Sequence, residues 1–179
     1  SGAVSISMPA DILKGEVDDA NVYGIPQFMS APSSRTRPDT DAVVRAAALI
    51  RAASRPVIVA GGGVLISRAW DALTAFAEAT STLVGTSING KGSIAEVHPL
   101  SLGVVGGNGA RGYANQMVAE CDLLVLVGTR TDSTTTLNWT LPARHAGIPV
   151  VHIDIDALQP GNTYPTAVAL IGDARATLE

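Results

Sequence analysis

Five short segments hold most of the side chains that could touch a polar ligand: Gly61-Gly62-Gly63, Gly85-Thr86-Ser87, Gly128-Thr129-Arg130-Thr131-Asp132, Asp154-Ile155-Asp156 and Gly172-Asp173. Each follows a short apolar run. Glycine lets a backbone come close to a phosphate or a ring, and Thr, Ser and Asp exchange hydrogen bonds with ribose hydroxyls and base edges. The same residue types also build plain turns at strand ends. Nucleotide or flavin contact and simple turn formation both stay open from these residues alone.

Familiar signatures break at identifiable positions. A dinucleotide fingerprint begun at Gly61 and Gly63 meets Ile66 where the third glycine belongs, and no acidic residue closes the second strand at Val84-Gly85-Thr86. Ordinary NAD dehydrogenase chemistry is disfavoured. Gly85-Thr86-Ser87-Ile88-Asn89-Gly90-Lys91 fits seven positions of a P-loop, but Gly92 offers magnesium no hydroxyl, so Lys91 reads as a solvated loop residue. The nucleophile elbow G-x-S-x-G fails at Asn89. His98, His145 and His152 lie in separate segments; His152 alternates with Asp154 and Asp156, a pattern that strand periodicity produces without a metal. No metal site is expected. Trp70 and Trp139 read as packing residues.

The elements that position these loops alternate. Asp39 or Thr40 caps a helix to Ala53 with Val43, Ala47 and Ile50, flanked by Val44 and Ala48, on its apolar face. Strands are expected at Pro56–Ala60, Thr82–Val84, Leu123–Val127, Val150–Ile155 and Ala167–Ile171. Between them lie a helix capped by Ser67 with Ala69, Leu73, Phe76 and Ala77 inward, another over Arg111–Ala119, and a last one starting at Asp173. Strands apolar on both faces and separated by helices predict an α/β fold with a parallel sheet covered on each side. Ligands of such sheets bind outside the carboxyl ends of the strands, where the five loops fall.

The chain has 179 residues, 46% apolar and 4% aromatic, with 12 Lys+Arg against 16 Asp+Glu. A fold of this size removes about 70% of its unfolded surface from water without needing staples. The lone Cys121 excludes an internal disulfide and any cysteine-cluster metal site, and fits a reducing cytoplasm. No apolar run approaches the roughly 20 residues of a membrane span, and the acidic balance leaves no footprint for nucleic acid. Residues 13–38, rich in Pro, Ser and Gly, read as a linker, and residues 1–12, with Val4, Ile6 and Met8 alternating with serines, as a single strand ended by Pro9. One strand is not a domain. The expectation is a part of a longer protein.

Taken in order, GAVSISMPADI (2–12), RPVIVAGGGV (55–64), TSINGKGSIAEVHPLSLGVVG (86–106), CDLLVLVGTRTD (121–132), VVHIDID (150–156) and GDA (172–174) resemble the central domain of thiamine diphosphate (TPP)-dependent enzymes, a group that includes acetolactate synthase, pyruvate oxidase, benzoylformate decarboxylase and oxalyl-CoA decarboxylase. The resemblance covers nearly the whole chain. It implies residues 1–12 as the last strand of a pyrimidine-binding domain, with Ala3 in place of the usual proline, 13–38 as the linker and 39–179 as the central domain. It also implies a doubly wound, mostly parallel six-stranded Rossmann-like sheet with helices on both faces.

In acetolactate synthase or pyruvate oxidase that domain binds FAD, in oxalyl-CoA decarboxylase ADP, and in several decarboxylases nothing. The positions that contact the nucleotide fall on Gly61, Gly62, Gly63, Thr86, Ser87, Leu102, Gly103, Asn108, Gly128, Arg130, Asp132, Asp154, Ile155 and Asp173. Asn108 and Thr134 stand where acetolactate synthases usually carry histidine and arginine, so FAD, ADP and an empty pocket all remain open. The coenzyme-activating glutamate belongs to the pyrimidine-binding domain, and the magnesium–diphosphate motif to a carboxy-terminal domain. Gly172-Asp173-Ala174 lacks that motif's last glycine. The resemblance therefore implies a non-catalytic piece of a parent that acts on 2-keto acids by decarboxylation or carboligation, with thiamine diphosphate and magnesium held elsewhere and a dimeric or tetrameric assembly. A stand-alone NAD(P)- or flavin-binding module of transhydrogenase or electron-transfer type and a purely structural oligomerisation domain are the alternatives.

Overall fold

Short, mainly apolar runs of four or five residues are too short for a stable helix and fit a pleat buried on both sides. The structure, a computed structural model, describes residues 5–18 and 24–179. In these residues such runs become β1 (Pro56–Ala60), β2 (Leu83–Thr86), β3 (Ser101–Val104), β4 (Leu123–Val127), β5 (Val150–Asp154) and β6 (Val168–Ile171). They form one sheet in the order β3-β2-β1-β4-β5-β6, and every neighbouring pair is parallel. The chain order reverses between β1 and β4, the place where a crevice opens in such sheets.

Successive side chains alternate across this sheet. Ile58, Ala60, Val125, Val127, Val151 and Ile153 share a core with α2 (Thr40–Ala52), α4 (Trp70–Thr80) and α6 (Ala174–Leu178). Val57, Val59, Leu124, Leu126 and Val150 form the other, with α5 (Gly112–Ala119), Leu141 and Tyr164. Helices therefore cover both faces. The second face is closed in part by the β4–β5 crossover, which has no helix: residues 133–145 run through successive turns. β-Branched threonines, Pro142 and Gly147 disfavour one there. Leu137, Asn138 and Trp139 follow each other at φ +47°, +54° and +64°, a left-handed stretch that costs about 1–2 kcal/mol per residue.

Three expectations change. The buried face of α2 is Ala42 and Ala46, while Val43 and Val44 are exposed, because small side chains let the helix settle closely on β6. Ser67 does not cap α4: a five-residue helix, α3 (Gly62–Ile66), precedes it, and Ser67 ends that helix instead. β3 is a strand that periodicity did not reveal, since Gly103 interrupts four residues. Asp39 does cap α2, accepting the Ala42 N–H at 3.0 Å.

Of the expected strand in 1–12, Val4 lies outside the described residues. Among the described residues, 5–9 pair with no strand, Ala10–Leu13 (α1) form one exposed helical turn, and Ile6 and Met8 face solvent. An isolated extended segment has no ladder to satisfy it. The linker's last residues are held. Thr36 O accepts the Asp173 N–H at 3.0 Å, and Pro38 lies against Gly172, where a Cβ would come within 2.8 Å of its ring.

Candidate functional site

Parallel pairing brings the carboxyl ends of all six strands to one edge. Loop backbones are knitted together there. Gly61 N–H donates to Val127 O at 2.8 Å, Gly63 N–H to Gly128 O at 2.9 Å, Gly128 N–H to Ile153 O at 2.8 Å, and Ser87 N–H to Ala60 O at 2.9 Å. A Cβ on Gly63 would lie 2.7 Å from the Gly128 Cα, and one on Gly61 would strike Gly128 and Thr129. These glycines let two loops touch at the point where the strand order reverses.

The other expected residues spread along the same edge. Thr86 is buried at the end of β2, and the Ser87 hydroxyl accepts the Gly90 N–H at 3.1 Å, which closes its own turn. Leu102 sits in the core within β3; Gly103 beside it has φ +75°. Gly62 faces Asn89, and Asn108 is exposed in the loop after β3. Arg130 and Asp132, after β4, line a cleft of about 530 Å³ completed by Thr131, Trp139, Arg144, Gln159, Asn162 and Thr163. Asp154 and Ile155 close β5, the first buried and the second 61% exposed. The structure thus gathers the positions on one rim but not into one cavity.

Two carboxyl groups differ in their surroundings. Burial pushes Asp154 above the usual carboxylate range, against the pull of the Asp156 N–H, which its Oδ1 accepts at 2.9 Å, and of the His152 ring. Its Oδ2 stands 4.0 Å from Nε2 of His152. Burial also lowers that imidazole, against the pull of Asp154, and Nε2 has no hydrogen-bond partner among the described residues. Asp154 is therefore a poorly compensated carboxyl, suited to a donor from a ligand.

Asp173 is the opposite case. Burial alone would raise it, but the Ala176 N–H, the Ser67 hydroxyl and the Arg35 guanidinium outweigh that and hold it below the usual range. The distances are 3.1, 2.8 and 2.5 Å. Ser67 Oγ also accepts Arg35 Nη1 at 2.8 Å and the Arg175 N–H at 3.0 Å. Arg35 and Ser67 thus belong to the rim, although the sequence reading placed neither there. An arginine 138 positions from its partner leaves no local signal. Among the described residues, no three His, Cys, Asp or Glu side chains converge on a metal position, and no helix is long and apolar enough to cross a membrane.

Residues 43–179 match the family described as "Thiamine pyrophosphate enzyme, central domain". The chain is 38% identical over 179 residues to a Methanocaldococcus jannaschii protein assigned as an acetolactate synthase large subunit, covering 99% of this chain and 30% of that one. It is 33% identical over 179 residues to the acetolactate synthase isozyme 2 large subunit of Escherichia coli, covering 99% and 31%. The chain spans about 30% of the length of these curated relatives. Among solved structures it is similar to a Mycobacterium smegmatis protein assigned to the thiamin diphosphate-dependent enzymes, with TM-score 0.62, 28% identity and coverage of 80% and 27%. Benzoylformate decarboxylase from Polynucleobacter necessarius shares the fold at TM-score 0.63 and 21% identity, covering 92% and 29%.

Proposed function

The chain belongs to the thiamine pyrophosphate enzyme central-domain family, and from that premise we propose that it is the scaffold and nucleotide-holding part of a larger enzyme that decarboxylates or joins 2-keto acids, as an acetolactate synthase does. The family depends on thiamine diphosphate. That coenzyme supplies an electron sink beside the keto carbonyl. The residues present do not fit its magnesium–diphosphate group: the one Gly-Asp pair at a strand end is Gly172-Asp173, and the Asp173 carboxylate is committed to Arg35, Ser67 and Ala176. Pyrimidine- and diphosphate-binding domains of the same polypeptide would carry coenzyme and metal, in a cytoplasmic homodimer or homotetramer. Residues 39–179 form the central domain in this reading, 13–38 the tether and 1–12 a strand contributed to the neighbouring domain.

A nucleotide fits the rim better. The observation that carries this is the undercompensated Asp154 carboxyl at the end of β5, with Arg130 and Asp132 on the neighbouring loop. Asp154 would take a ribose hydroxyl, Arg130 a phosphate, and the glycines at 61–63 and 128 would keep the loops low enough for FAD or ADP to pass. The division of labour is tested by supplying this chain with thiamine diphosphate, magnesium and pyruvate. The expected result is no carbon dioxide release and no acetolactate at any coenzyme concentration; measured turnover would refute it.

A further inference from the structure

Two asparagines of the chain precede a glycine, in Asn89-Gly90 and Asn108-Gly109. Such a pair is chemically weak: glycine has no Cβ to shield its backbone nitrogen, and that nitrogen can close a ring on the neighbouring side-chain amide. Closure depends on whether the nitrogen is already occupied and how firmly it is held, so the fold decides between two sites of identical composition. Asn89 is locked. It lies in the helical turn Ile88–Gly90, where the Gly90 N–H donates to Ser87 O at 3.0 Å and to Ser87 Oγ at 3.1 Å. Gly90 is buried so closely against β1 that an added Cβ would lie 2.2 Å from Ala60 O. Attack by its nitrogen needs this buried turn to open first.

Asn108 is free. Both it and Gly109 are exposed in the loop between β3 and α5, and a Cβ added to Gly109, at φ +78°, would meet no heavy atom within 4 Å. Among the described residues, 108–110 enter no hydrogen bond, although the chain on each side of them is tied down. Before them, the Gly106 N–H donates to Asn115 Oδ1 at 2.8 Å, Gly106 O accepts Asn115 Nδ2 at 2.9 Å, and the Gly107 N–H donates to Thr134 O at 2.7 Å. After them, Arg111 O accepts the Ala114 N–H at 3.0 Å at the start of α5. Asn108 therefore sits in an untied span between two anchors, with its amide and the Gly109 nitrogen both uncommitted.

We infer that Asn108 is a site of spontaneous covalent modification, at which the Gly109 nitrogen attacks Asn108 Cγ to form a cyclic imide that water then opens. A bond forms between the Gly109 nitrogen and Cγ, the bond from Cγ to the amide nitrogen breaks, and the proton given up by the Gly109 N–H leaves with the ammonia released. Hydrolysis at Cγ yields aspartate. Hydrolysis at the main-chain carbonyl carbon yields isoaspartate, in which the backbone runs through Cβ and Cγ. Water is the only co-reactant. Both products place a new carboxylate, ionised at neutral pH, on the edge that carries the strand-end loops, and isoaspartate also adds a carbon to the span between the two anchors. The inference does not rest on the nucleotide reading.

Trypsin separates the two sites, because cuts after Arg68, Lys91 and Arg111 put Asn89 in residues 69–91 and Asn108 in residues 92–111. The native chain is incubated at mildly alkaline pH, sampled over time and digested, and the mass gain of each peptide is followed. Methyl transfer from S-adenosylmethionine by an isoaspartyl methyltransferase marks the isoaspartate fraction. The expected result is conversion of the 92–111 peptide roughly ten times faster, or more, than that of the 69–91 peptide. The methyl-accepting product should lie in the first. Asn108 is exposed, so Asn108→Gln leaves the fold intact and should abolish the fast conversion. In urea, where the turn around Gly90 is lost, the two rates should come together. No conversion at Asn108, or equal rates at both sites in the native chain, would overturn the inference. A gap that persists in urea would overturn it too, by tracing the difference to flanking residues and not to the fold.

Discussion

Asp154 and Asp173 are both strand-end aspartates on one edge, yet their neighbours give them opposite signs. Asp173 is overcompensated and Asp154 undercompensated. A carboxyl whose folded pKa lies above its unfolded value of about 3.9 opposes folding once it ionises, so the penalty is present above the folded pKa and vanishes as pH falls below the unfolded one. Asp154→Asn keeps the oxygen that accepts the Asp156 N–H and removes the charge. Without ligand, it should therefore raise stability at pH 7 by on the order of 1 kcal/mol, seen as a Tm increase of roughly 2–4 °C. Below about pH 4 the gain should disappear. A Tm that falls at pH 7 would mean the carboxylate is already satisfied. Asp154 and Asp173 stood out in the sequence because each ends an apolar run. What distinguishes them did not, since Arg35 and Ser67 reach Asp173 across 138 and 106 positions.

Elements were most legible where burial and local preference agree. β1, β4 and β5 are uninterrupted apolar runs, and the Asp39 and Asp173 caps are local hydrogen bonds. Legibility failed where packing overrode propensity. α3 begins with two glycines, poor helix formers, because its first turn must slide under the loop after β4. The β4–β5 crossover carries a threonine-rich run where periodicity offers nothing, and only the fold shows that its turns hold Trp139 in the cleft. The packing role of the loop glycines is open to a paired test. Gly63→Ala places a Cβ 2.7 Å from the Gly128 Cα, and should cost about 1–3 kcal/mol by overpacking. Gly112, the first residue of α5, has no heavy atom within 4 Å of an added Cβ and no left-handed φ. Gly112→Ala should instead add about 0.4–1 kcal/mol by restricting the unfolded chain. Urea midpoints moving in opposite directions at unchanged slope would bear this out; a neutral Gly63→Ala would show that the two loops are free to separate.

For the molecule as a whole, alternating strands and helices already required a parallel sheet with ligand loops at the carboxyl edge, and the observed strand order places the reversal between the glycine-rich loops after β1 and β4. The sequence could not show how tightly those loops close on each other. The loops after β1 and β4 meet backbone to backbone at Gly61, Gly63 and Gly128, so in the proposed reading a nucleotide would lie across them, anchored at Asp154. The most direct test is one melting experiment in which FAD, ADP, ATP, NAD and NADP are each added to this chain. A nucleotide at 100 times its Kd stabilises a fold by about 2.7 kcal/mol, which for this size is a rise of roughly 5–10 °C. The account predicts that rise for FAD or ADP and its loss in Asp154→Ala. A flat response to all five would contradict it and leave a domain whose rim only supports its neighbours.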